Sequence, residues 1–211
     1  MTRPPGRIIA ALVVLGLLLA GGGFLAGRAV APAAITPTTD SAAAGFLRDM
    51  QVHHAQAVEM SLLVRDRTDD EAVRQLAYDI AVSQATQSGQ MYGLLEAWNL
   101  PQASPAPAMT WALLPATDGS ESGHHVDPTA PSGMPGMATA DQIAELTAAS
   151  GDDAVRLFLT LMIAHHQGGV DMADDVLART DNSQVVSLAT GIQRAQKAEI
   201  VAMQQMLAER S

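Results

Sequence analysis

Two pairs of adjacent histidines, each bracketed by methionines, are the side chains in this sequence that are best suited to chemistry. The motif returns 112 residues later, with His53 becoming His165, and matching apolar residues continue beyond it, which indicates two copies of one helical unit. Imidazole nitrogen and thioether sulfur together suit copper, and Cu(I) most of all. We therefore predict a copper site with these ligands: His53, His54, His165, His166, Met50, Met60, Met162 and Met172.

Helical geometry places both motifs on faces that must be buried. At about 100° per residue, the histidines and methionines of each copy fall on one apolar stripe, with the two histidines at its edges. Glu59 and its counterpart Asp171 point to the opposite side of their helices. We therefore expect these two acids to face solvent, and we interpret each remaining His/Met set as a half-site.

Polar residues interrupt the apolar stripe of the second helix in each copy. A buried amide or carboxylate is costly unless it is hydrogen-bonded. Facing a layer of histidines, such groups would accept hydrogen bonds from imidazole N–H and hold the rings in place, and Glu199 could also bind the metal directly. The predicted supporting residues are Gln84, Gln87, Gln196 and Glu199.

The segment between the two copies, residues 101–138, is rich in proline and glycine and predicts an irregular linker. Its candidate ligands are either exposed side chains without a role or part of a flap that captures soft ions and covers the central site. They are His124, His125, Met134 and Met137.

The composition narrows the possible functions. Cysteine is absent, which excludes disulfides, thiolate metal sites and thiol nucleophiles. Aromatic residues make up 3% of the chain, too few for base stacking, and a net charge of −10 repels nucleic acid and attracts cations. The sequence contains no recognisable Ser/His/Asp set, phosphate-binding loop or nucleophile elbow. We therefore predict a metal-binding protein that is not an enzyme.

The first thirty residues carry targeting information and are assigned as a signal anchor or signal peptide, residues 1–30. Arg3 and Arg7 precede an apolar run at residues 8–27, whose 20 residues are enough to span a bilayer. Small residues at 29–31 suit a cleavage site, but Pro32 is unfavourable just after one, which favours the uncleaved anchor. Both interpretations place the rest of the chain outside the cytoplasm, either membrane-anchored or secreted.

The periodicity predicts an all-α protein. Long helices are expected at about 41–67, 68–98, 150–179 and 182–209, and a short one at about 139–149. Thr68 and Thr139 would open two of these helices through capping boxes. The connections, short, long and short, predict an antiparallel four-helix bundle built from two repeated helical hairpins. The predicted segments are a tether at 31–39, hairpin repeat 1 at 40–100, the linker at 101–138, and a short helix with hairpin repeat 2 at 139–211.

Over about residues 40–211 the chain resembles the secreted bacterial family called "domain of unknown function 305". The resemblance implies a ferritin-like four-helix bundle. Some members are periplasmic copper-binding proteins implicated in copper tolerance, which implies His/Met ligation here, while many members have no assigned role. Within the repeated motif, Gln56 and Gly168 occupy equivalent positions and differ. The resemblance rests on F46-L47-x-x-M50-x-x-H53-H54-x-x-A57-x-x-M60, M134-P-G-M137 and F158-L159-x-L161-M162-I163-x-H165-H166-x-G168-x-x-D171-M172-A173.

These features predict an extracytoplasmic protein that binds Cu(I) or Cu(II) for copper buffering, sequestration or tolerance. Its partners would be the metal ion, the membrane through residues 8–27 if the anchor is uncleaved, and a protein that donates or accepts the metal. The identity and number of the ions stay open, as do the oligomeric state and the partner. The repeat allows either one site shared by both copies or two half-sites.

Three other functions are weighed against copper binding. A metal-free structural or interaction module would use the histidines as satisfied core residues. A ferritin-like di-iron oxidase needs several inward-facing glutamates, whereas Glu199 is the one core-facing glutamate expected here. A haem bundle with His and Met axial ligands is disfavoured by the scarcity of aromatic residues and by the pairing of the histidines.

Overall fold

Five α-helices, most of them joined by short turns, make up most of the chain that the structure describes. The computed structural model describes residues 36–104, 106–120 and 133–210. Within those ranges it contains no strand, which confirms the predicted all-α class. The helices are α1 Ala42–Arg65, α2 Glu71–Ala97, α3 Ala140–Ala148, α4 Gly151–Leu177 and α5 Ser183–Ala208, with a 3-10 helix at Thr110–Leu113.

Local capping signals set where the helices begin. The capping box predicted at α3 is present: Thr139 Oγ1 accepts the N–H of Gln142 at 3.1 Å, and Gln142 Oε1 accepts the N–H of Thr139 at 2.8 Å. The box predicted at Thr68 is wrong. Helix α2 starts after Asp70, whose Oδ1 accepts the N–H of Val73 at 3.1 Å. A carboxylate caps as well as a hydroxyl and also complements the helix dipole, so the acid takes this position.

The long helices pack as two hairpins that meet along their first helices. Helix α1 packs against α2, α4 packs against α5, and the hairpins contact each other through α1 and α4. The inner helices α1 and α4 carry most of the buried side chains, whereas α2 and α5 each bury one face. The two histidine motifs, one on each inner helix, therefore lie where the hairpins meet.

The connecting segment contributes to the core, which its composition does not predict. Met109 and Trp111 are buried near α1, where Trp111 meets Phe46 edge to face with ring centroids 5.8 Å apart. Asp49 on α1 anchors this segment, because its Oδ2 accepts the N–H of Met109 at 2.7 Å and the indole N–H of Trp111 at 2.8 Å. Burial raises the pKa of Asp49, and these two hydrogen bonds oppose that rise. The part of this segment around Met109 and Trp111 is therefore held against the helices.

Replacing Asp49 with alanine should lower the free energy of unfolding by about 2–4 kcal/mol, because two buried N–H donors lose their acceptor. Urea unfolding followed by circular dichroism measures the change. The matched control is Glu59→Ala on the exposed face of the same helix. It should change the free energy by less than about 0.5 kcal/mol. Equal effects of the two substitutions would contradict the anchoring role of Asp49.

The predicted signal anchor or signal peptide, residues 1–30, lies outside the described residues. Residues Pro37–Ser211 form one compact unit. Across the described ranges, no helix is both long enough and apolar enough to cross a membrane.

Candidate metal site

The four motif histidines form a row across the contact between α1 and α4, here called the histidine row. All four side chains are fully buried. The ring centroids are 6.5 Å apart between His54 and His53, and 6.3 Å apart between His165 and His166. The central rings, His53 and His165, come from different copies and lie 3.8 Å apart with 34° between their planes. The fold thus joins the two repeats in one continuous layer.

Buried methionines lie on both sides of the histidine row, in two apolar clusters. On α1, one cluster ends at Met50 and the other begins at Ala57, with the histidines between them. Met50 shares its cluster with Met172, and Met60 shares the other with Met162. The half-site interpretation groups Met50 with Met60, but ten residues of helix separate them by roughly 15 Å along the axis. Each side of the row therefore has one methionine from each copy.

Three of the four rings are held through Nε2. Carbonyl, amide and carboxylate oxygens can only accept hydrogen bonds, so Nε2 carries a proton in each of these rings, and in the neutral form of the ring Nδ1 keeps its lone pair. Each Nε2 donates to one oxygen: His53 to the Pro135 carbonyl at 3.1 Å, His54 to Gln87 Oε1 at 2.7 Å, and His166 to Glu199 Oε2 at 2.8 Å.

The remaining imidazole nitrogens are buried and unpaired. In the described part of the chain, no hydrogen bond reaches Nδ1 of His53, His54 or His166, or either nitrogen of His165. Burial lowers the pKa of His53 to about 4 and the pKa of His54 to about 3, and it holds the pKa of His165 well below its usual value. These three rings are therefore neutral at neutral pH, and neutral imidazole is the form that binds metals.

We expect the metal-free protein to lose stability as the pH falls below about 6.5. The unfolded histidines take up a proton near pH 6.5, whereas folded His53 and His54 resist protonation until about pH 4 and about pH 3. Between these values the unfolded state binds more protons, so the free energy of unfolding drops, by on the order of 5 kcal/mol at pH 4. Urea unfolding across this pH range measures the drop. The double variant His53→Gln, His54→Gln should show a flatter dependence, and an unchanged slope would contradict this expectation.

A turn from the connecting segment, residues 134–137, is pressed onto α4 beside the histidine row. Its backbone lies so close to the helix that a Cβ added at Gly168 would collide with the Pro135 carbonyl. In the same way, a Cβ at Gly136 would collide with the Ala164 carbonyl, and Gly136 has a φ of 75°, which favours glycine. Glycine is therefore required on both sides of this contact.

Gln56 on α1 fixes the end of the turn. Its Nε2 donates to the Ala138 carbonyl at 2.9 Å, and its Oε1 accepts the N–H of Ala138 at 2.7 Å. Together with the contact at Gly168, this pair holds the Pro135 carbonyl against His53. The sequence pattern alone assigns no role to Gln56, Gly168 or Pro135. The available signal was that the two copies of the motif differ at Gln56 and Gly168.

The other residues singled out from the sequence lie in varied surroundings. Gln84 and Gln196 are buried, and their amide atoms make no hydrogen bond within the described residues. Met134 is buried and Met137 half-buried, both at the cluster that contains Met50. Glu59 is exposed and Asp171 is half-buried. His124 and His125 lie outside the described residues.

At each end of the histidine row, the residue that accepts the hydrogen bond from the ring is partly exposed to solvent. The Glu199 side chain is 22% exposed. Gln87 is half-buried and lines an open groove of about 990 Å³ between α2 and α5. Within the described ranges, no three His, Asp or Glu side chains converge as a group that could hold a metal ion. The row therefore offers separate nitrogens in one layer and not a closed cage of imidazoles.

Most of the chain matches a known protein family. The model of "Domain of unknown function (DUF305)" matches residues 43–207. A predicted secreted DUF305 protein from Streptomyces coelicolor is 47% identical, with a TM-score of 0.72 over 82% of this chain and 96% of that one. A DUF305 fragment from Deinococcus radiodurans is 32% identical, with a TM-score of 0.60 over 78% of this chain and 93% of that one. No curated protein matches the chain.

The protein CopM has the same fold at lower sequence identity. Its Cu(II)-bound form is 24% identical, with a TM-score of 0.59 over 81% of this chain and 98% of that one. Its Cu(I)-bound form is 23% identical, with a TM-score of 0.55 over 78% and 94% of the two chains.

Proposed function

The chain belongs to the DUF305 family, and we propose that it binds copper outside the cytoplasm through the histidine row and the methionines beside it. The ion is the cargo of the protein, which buffers it, sequesters it or passes it to another protein, and so contributes to copper tolerance. The proposal includes no catalytic step. The unpaired imidazole nitrogens of the row are the observation that carries it.

Burying a row of histidines lowers the free energy of unfolding unless the ring nitrogens are hydrogen-bonded or bind a metal ion. Five of these nitrogens make no hydrogen bond within the described residues. A histidine that only fills a core normally has its polar atoms paired. A bound metal ion would use the free lone pairs, and the hydrogen bonds on Nε2 of His53, His54 and His166 leave Nδ1 of these rings available to it. Cu(I) and Cu(II) both accept neutral imidazole as a ligand.

Thioether sulfur completes the set of ligands that we propose. Because no three His, Asp or Glu side chains converge in the described ranges, the imidazoles alone would leave the ion short of ligands. Methionine sulfur favours Cu(I) in particular. Met50 and Met172 would serve one side of the row, and Met60 and Met162 the other. This grouping supports one layer shared by both copies in preference to two half-sites.

The comparisons support copper as the bound ion and a location outside the cytoplasm. CopM, which has the same fold, is known in copper-bound forms with either oxidation state. The Streptomyces coelicolor relative is a predicted secreted protein, which supports a location outside the cytoplasm. The ferritin-like classification and the N-terminal membrane anchor stay predictions from the sequence.

Titration of the purified protein with Cu(I), in competition with a chelator of known affinity, tests the proposal. We expect a Kd well below about 1 µM, because a useful scavenger must hold the ion against competing ligands. A protein that binds no tighter than this, for either Cu(I) or Cu(II), would be a metal-free module and not a copper carrier.

A further inference from the structure

The two ends of the histidine row differ in charge. His54 donates to an amide oxygen, Gln87 Oε1, whereas His166 donates to a carboxylate oxygen, Glu199 Oε2. Gln87 and Glu199 occupy equivalent positions in the two copies of the repeat. The two hydrogen bonds have nearly the same length, 2.7 Å and 2.8 Å, while their acceptors differ in charge. The carboxylate of Glu199 thus contacts a ring of the row directly.

A carboxylate behind an imidazole changes what the ring can bind. By accepting the hydrogen bond from Nε2–H, the carboxylate makes Nδ1 a stronger electron-pair donor to a metal ion. It also brings a negative charge close to that ion. Both effects stabilise a doubly charged ion more than a singly charged one. A neutral amide orients the ring equally well but adds no charge. The partial exposure of Glu199, at 22%, also gives a hydrated cation a charged first contact at this end.

Building on the proposed copper function, we propose that Glu199 sets the preference between the two oxidation states, raising the affinity of the His166 end for Cu(II) relative to Cu(I). The Gln87 end lacks this bias and suits Cu(I). Glu199 is therefore a positioning and specificity-determining residue that acts through His166. Within the shared layer, the two ends would then differ in the oxidation state that they favour.

The repeat offers a matched pair of variants for the test. Glu199→Gln replaces the carboxylate behind His166 with the amide found in the first copy. Gln87→Glu replaces the amide behind His54 with the carboxylate found in the second copy. Both keep a hydrogen-bond acceptor for the ring. Affinities for Cu(I) and Cu(II) are measured separately by competition with chelators, and circular dichroism checks that each variant has the helical content of the parent protein.

We expect Glu199→Gln to weaken Cu(II) binding by about tenfold or more, while Cu(I) binding changes by less than about threefold. The ratio of the two affinities then shifts by about tenfold, which raises the reduction potential of the bound copper by about 59 mV per tenfold change. Gln87→Glu should shift the ratio in the opposite direction. A purely structural role for Glu199 would leave the ratio and the potential unchanged.

The outcomes separate this inference from the proposed function. Wild-type protein that binds neither ion overturns both. Wild-type protein that binds copper, together with variants whose Cu(II)-to-Cu(I) affinity ratios stay within about threefold of the wild-type ratio, overturns the role of Glu199 alone. If Glu199→Gln fails to fold, Gln87→Glu decides the question, because an added carboxylate must favour Cu(II) if charge sets the preference.

Discussion

The double variant His53→Ala, His165→Ala is expected to lose copper affinity by about hundredfold or more, since loss of even a supporting residue behind a metal ligand costs 10–100-fold. These two rings form the centre of the histidine row, 3.8 Å apart between centroids. They also carry three of the five buried nitrogens that make no hydrogen bond in the described part of the chain. Chelator competition with Cu(I) measures the loss.

Two controls make this result interpretable. Removing two buried rings leaves a cavity that costs a few kcal/mol, so helical content must be checked by circular dichroism at the temperature of the titration. His53→Gln with His165→Gln fills more of the space while removing both imidazoles, and it should bind as poorly. Glu59→Ala, on the exposed face of α1, should bind like the parent protein. Parental affinity in both double variants would exclude the central rings as ligands.

The second large effect is expected from a single methyl group, in Gly168→Ala. The added Cβ would collide with the Pro135 carbonyl, which is backbone and cannot turn aside as a flexible side chain would. The turn at 134–137 must then lift from α4, at a cost of about 1–3 kcal/mol in the free energy of unfolding. Lifting it removes the acceptor from His53 Nε2 and strains the pair that Gln56 makes with Ala138.

Gly93→Ala is the matched control for this substitution. Gly93 lies on α2, and a Cβ there would meet nothing within 4 Å. Alanine should therefore stabilise the helix by up to about 1 kcal/mol, the opposite sign to the effect at Gly168. Urea unfolding gives both free energies, and hydrogen exchange at the Ala138 amide reports whether the turn has lifted. Slow exchange and full stability in Gly168→Ala would show that the turn contact is not needed.

The sequence predicts well the features that depend on helical periodicity. A helix expected at about 41–67 is observed as Ala42–Arg65, and the histidines on its apolar stripe are fully buried. Glu59, placed on the opposite side by the same geometry, is exposed. These features follow from local spacing, because a helix fixes the direction of each side chain relative to its neighbours.

Features that depend on contacts between distant segments are not predictable in this way. Asp49 lies next to Met50 in the sequence, and nothing local shows that it holds Trp111 of the connecting segment. The grouping of Met50 with Met172 depends on how α1 crosses α4, which the repeat alone does not give. The carbonyl that accepts the hydrogen bond from His53 belongs to Pro135. A contact made by a backbone oxygen cannot be predicted from a pattern of side chains.

A single hairpin cut from this chain would expose its histidines and methionines to water, and it could bury them again only against a second hairpin. The molecule is thus built like a two-fold homodimer whose subunits are covalently joined. Identical subunits related by a two-fold axis must have identical surroundings. Covalent fusion removes that restriction: one copy has a carbonyl on His53 and an amide behind His54, and the other has a carboxylate behind His166. Joining the subunits is what allows two halves of common pattern to hold different ligand environments.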